Sequence, residues 1–485
     1  MQLKTAFSGY DGLGLAELVR RKETHAEELL AWAIGNLEAV NPHLNCIAHT
    51  HYDEARKQIA AGLARGAFEG VPFILKDLGI ELAGTVTSCG SCAFSDYMPS
   101  FDSELAARYK RAGLVIFAKS TTPELGLAYT TESKAFGLTR NPWNTERSAG
   151  GSSGGAGAAV ASGIVPMAHA SDGGGSIRVP ASCNALFGLK PSRGRMPCGP
   201  HGTERWLGLS ISHAVTVSVR DSAALLDATC GMEPGSRYSA PAPPSDGYLR
   251  ALERPAAGLR IALMTGTPSG TPVDPECAAA ARHAATVCEA LGHRVEEAAP
   301  RLDTEAMTAG FLAVISTLTA QTLRDHGTER GRPVSPEELE TVTSIFWNQG
   351  CQASGLALAD ANEAFQAGAI AMADFLTGFD LLLAPALARP PAPLGVLGLS
   401  PVDLAAYTRE VTTYSPFTTL ANMTGQPSMS VPLYWTSGGL PVGALFTGRY
   451  GEEATLLALA AQLEQAQPWA PRLAQNGLRV ANPRS

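Results

Sequence analysis

Residues 148–178 read SAGGSSGGAGAAVASGIVPMAHASDGGGSIR. Glycine, alanine and serine dominate this stretch, a composition that by itself signals a flexible linker. Its surroundings argue otherwise. Apolar segments flank it, and Ala156 to Ala161 has the small-residue pattern of a close-packed helix, so the stretch predicts a tightly packed system of core loops. It carries two serine-bearing glycine clusters. Gly150-Gly151-Ser152-Ser153-Gly154-Gly155, taken alone, is compatible with a flexible loop, a phosphate nest, a dinucleotide loop or a nucleophile turn. Asp172-Gly173-Gly174-Gly175-Ser176-Ile177-Arg178 places three glycines before a serine, letting backbone N–H groups approach a substrate carbonyl with no Cβ in the way. Such a nest suits an oxyanion. A tight structural turn reads equally well from that segment alone.

Several of these readings fail on the rest of the chain. No Walker-type phosphate loop is present anywhere. A dinucleotide loop needs a strand directly before its glycines, and Asn141-Pro142-Trp143-Asn144 reads as a turn. Gly151-Ser152-Ser153-Gly154-Gly155 matches the α/β-hydrolase elbow literally, with Ser153 as nucleophile. That mechanism needs a histidine far downstream, but the last one is His326, and the strand leading into the serine is also missing.

A third feature lies upstream. Lys76 interrupts the largely apolar run Phe73-Ile74-Leu75-Lys76-Asp77-Leu78-Gly79-Ile80. An isolated lysine there is ordinarily an edge-strand charge or half of an ion pair. Buried, however, a lysine loses its proton readily and can act as a neutral base.

Lys76, the Gly-Gly-Ser-Ser-Gly-Gly loop and the Gly-Gly-Ser-Ile-Arg segment stand in the order and spacing of the amidase signature family, which the chain resembles. The resemblance continues through Gly188-Leu189-Lys190-Pro191, Ser218-Val219-Arg220-Asp221, Asn422-Met423-Thr424-Gly425-Gln426-Pro427 and Gly439-Leu440-Pro441-Val442-Gly443. It implies that Ser176 is the nucleophile and that Ser152, in a cis peptide after Gly151, relays its proton to neutral Lys76. It also implies an oxyanion hole from the backbone at Gly173, Gly174, Gly175 and Ser176. Ser153, Asp172 and Arg178 are expected to hold the loops, and no metal or organic cofactor is required.

Elsewhere the periodicity predicts a helix from the capping-box sequence Thr24-His25-Ala26-Glu27 to a stop at Asn41-Pro42. Strands are expected at Val71–Leu75, Leu114–Ala118, Leu259–Met264, His293–Ala298, Asp380–Leu383, Ser428–Leu433 and Val442–Phe446. Helices are expected over Pro275–Leu291, about 303–375, and Glu452–Leu463. The fold class is therefore α/β, a large mixed twisted sheet with helices on both faces. An N-terminal helical segment (1–65) precedes a single catalytic domain (66–485) that carries a helical insertion at about 303–375.

A net charge of −8 and the lack of a basic run argue against nucleic acid as a partner. The long uncharged stretches Ser148–Ser171 and Val411–Gly448 are too polar and too interrupted by proline to cross a bilayer. No apolar leader opens the chain, so it reads as cytoplasmic. Nine cysteines with one lone Cys89-Gly90-Ser91-Cys92 pair read as free, mostly buried thiols rather than a zinc or thioredoxin-like site. The expected partners are a small-molecule amide and water, with no nucleic acid and no membrane; a homodimer is compatible with the sequence.

Within the family, Leu138-Thr139-Arg140-Asn141-Pro142-Trp143-Asn144 and the helix start Pro275-Glu276-Cys277-Ala278-Ala279-Ala280-Ala281-Arg282 are similar to hydrolases of non-peptide amides. Linear, cyclic and aryl amides and carbamates all fit. The alternative is the amidase subunit of a tRNA-dependent glutamine amidotransferase. Against it, Ile177-Arg178-Val179-Pro180 stands where that subunit typically has glutamine before the proline. His213-Ala214-Val215-Thr216-Val217 departs from a common family pattern and blurs the subgroup. Pocket walls are expected from Cys89–Ser95, Gly199–Ser212 and Gly310–Leu318, with His169 and His213 as packing or hydrogen-bonding residues.

Overall fold

The computed structural model describes residues 7–474. The stretch read for a leader, and the end of the 66–485 segment, lie partly outside them. Eleven strands form one sheet. The first six are β1 (Ile47–Thr50), β2 (Pro72–Lys76), β3 (Val115–Ser120), β4 (Met167–Asp172), β5 (Phe187–Lys190) and β6 (Ile211–Thr216). The remaining five are β7 (Arg260–Leu263), β8 (Arg294–Glu297), β9 (Leu381–Pro385), β10 (Ser428–Trp435) and β11 (Pro441–Gly448). The spatial order is β1-β3-β2-β4-β6-β5-β10-β11-β9-β7-β8. Strands β3, β2 and β4 run parallel, as do β9, β7 and β8, while the pairs from β4 through β6, β5, β10 and β11 to β9 are antiparallel. This is the large mixed sheet the sequence implied.

Each apolar run expected as a strand is one, within two or three residues at its ends. The three strands at the middle of the first half, β4, β5 and β6, were not expected. They are wholly buried, yet their sequences MAHASD, FGLK and ISHAVT mix in polar residues and lack the apolar continuity of a core strand.

The helix Gly154–Ala161 explains the small-residue composition. Every residue in it is buried, and it packs against the sheet so closely that a Cβ on Gly155 would lie 2.5 Å from the Thr121 backbone nitrogen. Larger side chains would force helix and sheet apart.

Three local expectations are corrected. The first long helix runs Ala26–Leu44, and its cap is His25, which accepts from Glu28 N, not Thr24. Thr24 Oγ1 instead donates to the Glu28 carboxylate at 2.7 Å. Pro42 does not stop this helix, which continues through it to a left-handed Asn45. In the last turn proline removes only one helical bond, and the Asn41 side chain gathers the exiting chain by accepting from Cys46 N and Ile47 N at 2.8 and 3.0 Å. Finally, the amino-terminal region read as helical also contributes β1 to the sheet edge.

The region about 303–375 forms three helices, Thr304–Glu329, Thr341–Gln352 and Gly355–Gly378, which pack together. Among the described residues, Thr304–Glu329 is the one helix long and apolar enough to cross a membrane. Met307, Gly310, Val314 and other residues at helical spacing bury one stripe of it against its neighbours, the pattern of a helix in a protein layer.

Candidate active site

Strand β2 ends at Lys76, and its parallel neighbours β3 and β4 seal it on both sides. The lysine is fully buried. Its Nζ lies 2.7 Å from Ser152 Oγ and 3.1 Å from Ser171 Oγ, and its backbone N–H donates to His169 Nδ1 at 3.2 Å. Burial pushes the Lys76 ammonium down to about 7, against a smaller opposing pull from Asp172. A lysine surrounded by hydroxyls alone, with its nearest carboxylate engaged elsewhere, is an amine at neutral pH about as often as an ammonium.

Ser152 sits in the turn between a short two-stranded ribbon and the helix Gly154–Ala161. The ribbon strand Asn144–Ser148 ends just before Gly150, so a strand does lead into this loop, but it pairs only with Arg140–Asn141 and lies outside the main sheet. The Gly151–Ser152 peptide is cis. Thr131 fastens the turn: its Oγ1 donates to Gly150 O at 2.9 Å and accepts from Gly154 N at 3.0 Å. Only glycine fits at 151, because a Cβ there would collide with the Thr130 backbone.

Ser153 has a different task from its neighbour. Its Oγ donates to Ser171 O at 3.2 Å and accepts from Ser171 N at 3.3 Å, and its own N–H donates to Ser176 O at 3.3 Å. These bonds stitch the two serine loops to the end of β4, leaving Ser153 committed and far from the role the elbow motif would give it.

Ser176 lies in the turn between β4 and the helix Arg178–Asn184. Exposure falls stepwise along the three residues: 7% for Ser176, 2% for Ser152 and 0% for Lys76. Solvent therefore reaches Ser176 most readily of the three. Its hydroxyl makes no hydrogen bond among the described residues.

Asp172 and Arg178 hold this turn in shape. They form a fully buried bidentate pair, with Nε to Oδ2 at 2.9 Å and Nη2 to Oδ1 at 2.8 Å. Burial alone would raise the Asp172 carboxyl, but the Arg178 guanidinium and the Asn422 amide hold it well below the usual carboxylate range. Asn422 donates to Asp172 Oδ1 at 2.9 Å and to the carbonyls of Asp172 and Leu209 at 3.0 Å each, and accepts from Arg178 Nη2 at 2.6 Å. Asn422 lies in the motif Asn422–Pro427, whose sequence alone does not reveal this role.

The four expected oxyanion donors are not equivalent. Gly175 N–H is already spent on Asp172 Oδ1 at 2.7 Å. Among the described residues, no protein acceptor takes the N–H groups of Gly173, Gly174 or Ser176. Gly175 has a different duty: it holds a φ of +135° beside Thr418, whose Oγ1 donates to Gly174 O at 2.7 Å.

Of the expected pocket walls, two reach this loop. Trp206 packs on Gly173, and Phe311 on Gly174. Cys89–Ser95 packs instead with Leu125, Leu323 and Val334. His213 bonds Ser222 Oγ at 2.9 Å, the hydrogen-bonding role expected of it.

A family model described as Amidase matches residues 28–457. The chain belongs to the amidase signature family. Over 478 residues it is 38% identical to the 6-aminohexanoate-cyclic-dimer hydrolase of Pseudomonas sp. (strain NK87), covering 96% of each chain. The structure of 6-aminohexanoate cyclic dimer hydrolase complexed with substrate matches at a TM-score of 0.91 and 35% identity, over 97% of this chain and 99% of that one. A bacterial aryl acylamidase of the amidase signature family matches at a TM-score of 0.88 and 26% identity, over 99% and 100% of the two chains. The protein is an amide-hydrolysing enzyme with the amidase signature fold.

Proposed function

We propose that the enzyme hydrolyses a non-peptide carboxylic amide through Ser176, Ser152 and Lys76 by way of an acyl-enzyme. The observation that carries this reading is the buried Lys76 amine 2.7 Å from Ser152 Oγ, its proton affinity lowered to about 7. Ser176 Oγ adds to the carbonyl carbon as its proton passes to Ser152, whose own proton passes to Lys76. The negative oxygen rests on the free N–H groups of Gly173, Gly174 and Ser176, each worth about 3–4 kcal/mol by analogy with other oxyanion holes. The C–N bond then breaks, the relay runs backwards to protonate the leaving amine, and an ester remains on Ser176. Water enters, gives its proton to the same relay and displaces the acid, and Ser176 recovers its proton.

The relatives support a cyclic aliphatic amide of the 6-aminohexanoate kind as substrate, with aryl amides second. They favour this reading over a tRNA-dependent amidotransferase. All nine cysteines are free thiols, which supports a reducing compartment such as the cytoplasm. The test is a panel of anilides, aliphatic amides, cyclic amides, esters and carbamates on the purified chain. Turnover of cyclic aliphatic amides is expected; glutaminase activity appearing only with added subunits would overturn the reading.

A further inference from the structure

The glycine loop before Ser176 is roofed by three rings from distant parts of the chain. A methyl group on Gly173 would lie 2.6 Å from the Trp206 indole. One on Gly174 would lie 3.0 Å from Phe311 Cζ and 3.6 Å from the Tyr129 hydroxyl oxygen. The rings offer different chemistry. Phe311 and the indole face offer apolar surface, and both belong to one apolar cluster with Leu318 and Leu358. Tyr129 offers a hydroxyl beside Gly174 that has no protein partner among the described residues, on a residue that is not fully buried.

That hydroxyl is fixed in place. The Tyr129 ring packs beside Tyr414, centroids 6.4 Å apart, and against the cluster of Val179, Leu387 and Leu397. Burial pushes the phenol up, and the nearby Asp172 carboxylate adds in the same direction, so it stays neutral. Three arginines near the collar already hold partners. Asp172 and Arg178 satisfy each other. Arg193 donates to the carbonyls of Gly208, Asn422 and Met423, and Arg205 pairs with Glu81 at 3.5 Å. A charged substrate group would have to leave water for a collar whose neighbouring charged side chains already hold hydrogen-bond partners, which costs it hydration.

The scissile amide has its own partners. Its carbonyl oxygen has three backbone donors, and its nitrogen receives the relayed proton. The Tyr129 hydroxyl is left for something else. We propose that Tyr129 is a substrate-contacting, specificity-determining residue: its hydroxyl hydrogen-bonds a second, uncharged polar group of the substrate while Trp206 and Phe311 pack on the carbon skeleton, so the site selects neutral amides carrying such a group. This rests on Ser176 being the nucleophile of the same site.

The test compares wild type with Tyr129→Phe on three probes: the 6-aminohexanoate cyclic dimer, the same ring with one amide replaced by methylenes, and the linear dimer with its free charged ends. The expected result is a loss of about tenfold in kcat/KM for the cyclic dimer, the worth of one hydrogen bond, and less than about twofold for the monoamide ring. The charged linear dimer is the poorest substrate of both enzymes, and the acid limb of the pH profile stays in place. An equal loss on both rings, no loss on either, a preference for the charged dimer, or a wild type neither acting on nor inhibited by the cyclic dimer would each overturn the assignment. Ser176→Ala run alongside separates the two levels. Activity in that variant sinks the proposed mechanism, whereas a dead Ser176→Ala with an unselective Tyr129→Phe sinks only the role of Tyr129.

Discussion

Replacing Lys76 by methionine should make the protein more stable at neutral pH while removing its activity. The side chain is fully buried, and its proton affinity falls from the ordinary 10.5 to about 7 on folding. Between those values the unfolded chain binds a proton that the folded chain does not, so stability rises with pH across that window. At pH 7 the lysine costs about 4 kcal/mol, and at pH 9 about 2 kcal/mol. Methionine fills similar volume, carries no proton and removes that cost, but forfeits the hydrogen bonds to Ser152 and Ser171, about 1 kcal/mol each. The net is a gain of about 2 kcal/mol at pH 7 that shrinks to about zero at pH 9. For a chain of this size that corresponds to a Tm about 2 °C higher at pH 7. Thermal scans of both proteins at one heating rate, from pH 7 to 9, measure it. A Lys76→Met protein that is less stable throughout, with a gap independent of pH, would refute the claim that folding holds this lysine short of its proton.

The proposed role of Lys76 as base also predicts a pH dependence of catalysis. Below about pH 7 the protonated amine cannot accept from Ser152, so kcat/KM should fall about tenfold per unit; a flat profile from pH 5 to 9 would exclude it as the base. Asp172→Asn should cost about 3–5 kcal/mol by leaving the buried Arg178 guanidinium without its carboxylate. Asp172→Asn combined with Arg178→Met should recover part of that loss in denaturant titrations.

How far this was legible from sequence depended on whether a residue's environment left a mark on its neighbours. Lys76 stood out because an apolar strand runs up to it. The two glycine clusters stood out because the chain packs too closely there for a side chain: only glycine allows the Thr130 and Thr418 contacts at Gly151 and Gly175. The core strands β4, β5 and β6 were hidden for the opposite reason. His169, Ser171, Asp172, Lys190 and His213 lie buried in them, interleaved with core residues such as Met167, Ala170, Leu189 and Val215. Periodicity cannot find such a strand. Nor does local sequence foretell that Trp206 and Leu207 adopt left-handed backbone, φ +50° and +51°, to lay the indole on Gly173. The missing donor at Gly175 is a further case: its N–H points at Asp172, three residues back, and only geometry reveals that.

Acylation of Ser176 is the step on which the proposed mechanism rests. It is tested most directly by mixing the enzyme with a slowly hydrolysed ester or carbamate, quenching, and locating the added mass by peptide mass spectrometry. One acyl group is expected on Ser176, lost from the Ser176→Ala protein together with turnover. An adduct on Ser153, or full activity in Ser176→Ala, would contradict it.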